Sequence, residues 1–180
     1  RLAALHGAPV AAGAGGGGGE NLSFERIRLV DVGQAFKWDM LGSKTHVGDL
    51  ASRFPARPIN PLTPNYRDIF AKDIVIEQAK DFINVVGIPE TPVSNVNIEK
   101  VIVNCNNIIS AQDIENAHFS NMNITSKNPV LEFDGVKNIR FNNVNFKSEK
   151  EIELKVKGEN FGDIVIQNCI GIKDTIWKNN

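Results

Sequence analysis

NVNIEKVIV, residues 95–103, places Val96 and Ile98 on alternate positions, interrupts them at Glu99 and Lys100, and resumes with Val101 and Val103. Alternation with a period of two is the mark of a strand with one buried face. Ile98 and Val101 are three residues apart, so an unbroken strand points them to opposite faces. A bend at Lys100 lets both pairs face one interior.

The same phrase recurs along the chain: NLSFERIRL from Asn21, DIFAKDIVI from Asp68, NAHFSNMNI from Asn116, NIRFNNVNF from Asn138 and DIVIQNCIG from Asp163. Successive starts are separated by 47, 27, 21, 22 and 25 residues. A repeat of this length is one coil of a solenoid, and the long step is one coil plus an insertion. The residues at the bend are Arg26, Asp73, Lys100, Asn121, Asn143 and Asn168. Asn and Asp suit such a corner because they tolerate left-handed backbone and bond locally. Identical corners stacked coil on coil predict an asparagine ladder through Asn121, Asn143 and Asn168.

The interior set then reads Leu22, Phe24, Ile27, Leu29 in the first unit and Ile69, Ala71, Ile74, Ile76 in the second. It continues through Val96, Ile98, Val101, Val103, through Ala117, Phe119, Met122, Ile124, through Ile139, Phe141, Val144, Phe146, and ends with Ile164, Ile166, Cys169. A further strand per coil is expected at 35–40, 81–86, 107–112, 129–134 and 151–156. The expected fold is therefore all-β: a right-handed parallel β-helix, a single-stranded solenoid of about six coils over residues 20–180. An antiparallel sandwich also has many short strands, but it does not require every unit to keep one phase. The segment around Ile176 and Trp177 is a candidate cap for the end of the stack.

Residues 1–19, RLAALHGAPVAAGAGGGGG, are Ala- and Gly-rich and read as an irregular tail or truncation edge. They lack the long apolar segment of a signal peptide, and the glycines are not followed by the lysine of a phosphate loop. No apolar run reaches the length of a membrane span. A formal net charge of −1 argues against a nucleic-acid-binding surface. The His residues, His6, His46 and His118, have no metal-ligand spacing, and no cofactor is implied. Cys105 and Cys169 fall about three coils apart, roughly 14 Å at ~4.8 Å per coil, too far for a disulfide.

The stretch Gly87-Ile-Pro-Glu-Thr-Pro92, leading into the Asn95 unit, resembles the C-terminal coils of glycoside hydrolase family 28, the polygalacturonase-like enzymes. GGENLSFERIRLVDVGQAFKWDML, residues 18–41, and TPNYRDIFAKDIVI, residues 63–76, are similar to other coils of that region. The resemblance implies an inverting hydrolase of α-1,4 galacturonide bonds, with galacturonan as ligand. Members of the family are usually secreted or periplasmic. Inversion requires two carboxylates separated by a water. The Asn-Thr-Asp, Asp-Asp, Gly-His-Gly and Arg-Ile-Lys motifs that supply the family's site do not occur in this sequence. The chain by itself is thus expected to be inactive, a C-terminal β-helix portion of such an enzyme. The alternative is a stand-alone carbohydrate-binding β-helix of the adhesin or tailspike kind.

The insertion at 41–66 is the candidate binding region, because long irregular loops on a regular scaffold tend to carry function; the competing reading is a solvated, mobile loop with incidental charges. Its cations, Lys44, His46, Arg53 and Arg57, suit an acidic sugar, and arginine grips a carboxylate with two bonds. Pro55, Pro58, Pro61 and Pro64 favour an extended, defined wall. Asp31, Asp39, Asp113, Glu132 and Asp134 read as exposed or turn carboxylates, and Trp38 either as a platform for a sugar ring or, by alternation with Phe36, as an interior or inter-coil aromatic. The mixed charges of 147–159 read as a solvated strand. An uncovered N-terminal coil predicts self-association through that end.

Overall fold

A computed structural model describes residues 17–158 and 161–177. Of the proposed tail, residues 1–19, residues 1–16 lie outside the described residues.

The chain folds as a parallel β-solenoid. The repeats form β1 (Gly18–Leu29), β3 (Asn65–Val86), β4 (Val93–Gln112), β5 (Ile114–Asp134), β6 (Lys137–Lys147) and β8 (Ile164–Gln167). They stack in that order. The remaining strands are β2 (Val32–Asp39) on β3 and β7 (Glu153–Lys157) on β5, with β9 (Thr175–Trp177) on β8. Of the about six coils expected, about four turns are formed. The last unit is short, its strand β8 pairing with β9 antiparallel and not with a further parallel strand. Gly18 and Gly19, placed in the tail by composition, already pair with Asn65 and Tyr66.

The register follows the sequence repeat. Leu22 lies on Ile69, Ile69 on Val96, Val96 on Ala117, Ala117 on Ile139 and Ile139 on Ile164. Phe119 lies on Phe141, with ring centroids 4.8 Å apart. Both rings are buried. Such offset stacking adds to the burial of each ring.

The bends fall where the sequence places them. Arg26, Asp73, Lys100, Asn121, Asn143 and Asn168 all have positive φ, between 53° and 56°. The first residue of five units bends the same way: Asn21, Asp68, Asn95, Asn116 and Asn138. These five repeats therefore turn twice, five residues apart, which brings the four apolar residues of each onto one interior. The ladder is real but takes a different path at its end. Asn143 donates to Asn121 at 2.7 Å, whereas Asn168 donates to Asn142, not Asn143, at 2.9 Å. Further rungs join Asn95 to Asp68, Asn138 to Asn116, and Asp81 through Asn107 to Asn128.

The later strand of each coil also stacks: Phe36 on Ile83, Ile83 on Ile109, and Ile109 on Leu131. Trp38 is interior, stacked on Phe36 at 6.0 Å. Ala35, Phe82 and Ile108 are buried as well, although each neighbours an inward residue. The final segment is a strand: Ile164 faces Trp177 in antiparallel pairing, which ends the parallel register. Cys105 is buried, Cys169 half-buried, and both are free thiols. No helix among the described residues is long and apolar enough to cross a membrane.

Candidate functional site

The insertion leaves the solenoid after Asp39, whose carboxylate accepts from the backbone of Leu41 and Gly42. A short helix α1 (Lys44–Val47) follows, its first turn capped by the Ser43 hydroxyl, which accepts from Thr45 N at 3.2 Å. A 3-10 turn, Gly48–Ala51, then directs the chain back along the solenoid.

There Arg53 reaches a corner of the stack. Its Nε donates to Asp113 Oδ2 at 2.7 Å and its Nη2 to Asp113 Oδ1 at 2.9 Å. Asp113 is 2% exposed and holds φ 49°, so of its two readings, exposed or turn carboxylate, it is a turn carboxylate, and a buried one. A buried carboxylate requires a charged or hydrogen-bonding partner, and the fork of Arg53 supplies both. The bond to Asp113 raises Arg53 above its ordinary value; burial opposes this, and the charges of Asp113 and Asp134 add to it.

The corner is built to admit that pair. The backbone N–H of Gly87 donates to Gln112 O, and that of Asp113 to Asp134 O, so these residues form one column. Asp113 holds φ 49° and Gly135, below it, φ 63°. A Cβ on Gly135 would fall 2.7 Å from Asp113 Oδ1 and 3.1 Å from Arg53 Nη2. Above, a Cβ on Gly87 would lie 2.2 Å from Asp113 O. Glycine at 135 gives the carboxylate and the guanidinium their space, and glycine at 87 lets the backbone carbonyl of Asp113 approach closely.

A second tie holds the end of the insertion: the Thr91 hydroxyl donates to Pro64 O at 2.7 Å. Thr91 belongs to the Gly87–Pro92 stretch, which makes a tight turn through an Ile88–Thr91 bridge. The insertion is thus fastened at both Arg53 and Pro64.

Between it and the corner column lies a cleft of about 580 Å³ lined by Arg53, Pro89, Pro92, Asp113, Glu115, Asp134, Lys137 and Phe161, among others. Of the candidate cations only Arg53 lies here. Lys44 and His46 are exposed on α1. Arg57 is exposed and stacks over the Phe54 ring at 4.3 Å. Lys137 and Phe161 come from coils far along the chain, and nothing in the repeat marks them. Both oxygens of Asp113 are engaged by Arg53, so it is not a free acid or base. Glu115 and Asp134 are acceptors suited to hydroxyl groups, Arg53 and Lys137 are cations, and Phe161 with the prolines gives apolar walls. Among the described residues no group of His, Cys, Asp and Glu is arranged to hold a metal ion.

Comparison with protein-family models, with curated proteins and with solved structures found no match to this chain.

Proposed function

We propose that these coils belong to a polygalacturonase-like glycoside hydrolase acting on an acidic polysaccharide, and that they contribute a non-catalytic wall of its substrate cleft. The observation that carries this reading is the Arg53–Asp113 pair. It converts a proline-rich insertion into a fixed wall and holds an arginine at a cleft that also contains Lys137 and Phe161. A uronate chain offers carboxylates to the cations, hydroxyls to Glu115 and Asp134, and ring faces to Phe161. The Gly87–Pro92 stretch that carries the resemblance also seats Asp113 and anchors Pro64. The half-burial of Leu22, Phe24 and Ile27, against nearly complete burial of their counterparts Ile69, Ala71 and Ile74, supports self-association through the first coil.

The test is titration of this chain with oligogalacturonides by calorimetry, alongside a reducing-sugar assay on polygalacturonate. Saturable binding that weakens at least severalfold in Lys137→Gln, with no release of reducing ends, is expected. Absence of binding, or turnover by this chain alone, overturns the reading.

A further inference from the structure

A second cavity, about 810 Å³, opens on another side of the solenoid, away from the insertion. It is lined by Gln78, Asn104, Cys105, Thr125, Ser126, Lys127, Lys147, Ser148, Glu149 and Lys150, of which the argument needs Ser126, the lysines and Glu149. It forms where β6 ends at Lys147 and the chain swings out through Ser148 and Lys150 before re-entering as β7. Thr125 lies on Lys147 in register, so Lys127 and Lys147 come from adjacent coils at one corner.

Charge and hydrogen bonding agree here. Lys127, Lys147 and Lys150 form no ion pair among the described residues. Elsewhere Lys72 pairs with Glu99 and Lys157 with Glu132 across coils, whereas other lysines stand singly; here three converge on one cavity. Against three ammonium groups the lining sets one carboxylate, Glu149. Ser126 is 6% exposed and its buried hydroxyl has no hydrogen-bond partner, an uncommon condition for a polar group inside a protein. A turn of the Ser126 side chain toward the cavity would bring this hydroxyl to an acceptor seated there, while a negatively charged group is drawn directly by the lysines.

We infer that this cavity binds a small molecule bearing an oxyanion, a phosphate or sulfate ester. Its volume lies within the roughly 300–1,000 Å³ typical of small-molecule pockets, far larger than a bare ion requires. The lysines and Ser126 take the oxyanion, and the rest of the cavity takes the body of the ligand. The inference does not depend on the acidic-polysaccharide reading, because none of these residues lines the Arg53 cleft.

The experiment is amide NMR of the isotope-labelled chain, titrated with inorganic phosphate, with glucose 6-phosphate and with sodium chloride at matched ionic strength. Saturable shifts confined to Ser126, Lys127 and Ser148–Lys150 are expected, with at least tenfold tighter binding of the ester than of the free ion. Lys127→Gln/Lys147→Gln should abolish them while leaving the remaining spectrum unchanged. Ser126→Ala should weaken them severalfold. Shifts equal to those in chloride, or an undiminished response in the double variant, overturn the inference. Equal binding of free phosphate and of the ester overturns the small-molecule assignment.

Discussion

The guanidinium of Arg53 donates to both carboxylate oxygens of Asp113, 60 residues further along the chain. One partner is 39% exposed at its side chain and the other 3%, so the pair sits at the edge of the interior. Loss of the arginine leaves a buried carboxylate without its donors. Arg53→Ala is expected to cost about 1–3 kcal/mol in urea unfolding, and to open the insertion to limited proteolysis between residues 41 and 64. Asp113→Asn keeps a residue that tolerates positive φ but removes the charge, and should release the insertion with a smaller loss of stability. An insertion equally protected in Arg53→Ala would show that the ion pair is not its anchor.

Burial along the stack predicts a gradient of core sensitivity. Phe141 is buried and touches three other rings, Phe119, Phe133 and Phe146, with centroids 4.8 to 6.3 Å away. Phe24 is the equivalent residue in the first coil, packed against Ala71 and only partly buried. Phe141→Ala is expected to cost about 3–5 kcal/mol, and Phe24→Ala distinctly less. Equal losses in chemical denaturation would contradict the view that Phe24 is the less tightly packed of the two.

The repeat made most of the fold legible, because each coil buries the same positions and bends at the same ones. Phe119 and Phe141 needed no structure to be placed face to face. Phe82 and Ile108 did, since alternation assigns only one of two adjacent residues to the interior, whereas Ile83 and Ile109 beside them are buried too. The bend at Asn21, Asp68, Asn95, Asn116 and Asn138 was present as a recurring Asn or Asp at the head of each phrase, the same signal that identified the second bend. The site was less legible. Arg53 could be proposed from its loop, but its partner lies on a different coil, and an aspartate at a corner gives no local sign of burial. Lys137 reaches the cleft by stacking on Glu115 and Phe161 from the connection between β7 and β8, and so both escape any argument from neighbouring residues.

Left-handed backbone at each bend gives a ranking of substitutions. Asn143 has φ 56° and donates to Asn121. Asn143→Gly loses the ladder bond only, whereas Asn143→Ala also forces a Cβ into left-handed backbone, at roughly 1–2 kcal/mol. Glycine should therefore be the milder change. Lys100, with φ 53°, stands in the same column between Asp73 and Asn121 without their short polar side chain. Lys100→Asn is expected to raise stability by up to about 1 kcal/mol, measured as a higher urea midpoint at unchanged slope. A lower midpoint would mean that its aliphatic stem packs usefully on the surface.

Cys105 gives the stack a definite response to alkali. Burial pushes its thiol up to about 12, with the charge of Asp81 adding to the effect, from an ordinary value of 9.0. The folded chain therefore keeps the proton where the unfolded chain has lost it. Stability that depends on the neutral thiol is complete below about pH 9 and falls as pH rises from there toward 12. Cys169 is also raised, mainly by burial, but it is present in both proteins compared. In Cys105→Ala the small cavity lowers stability at pH 7, while the decline between pH 9 and 11 should be shallower than in the parent chain. Urea unfolding of the two proteins across that range measures the difference in slope. Parallel curves would mean that the thiol ionises as readily in the fold as outside it.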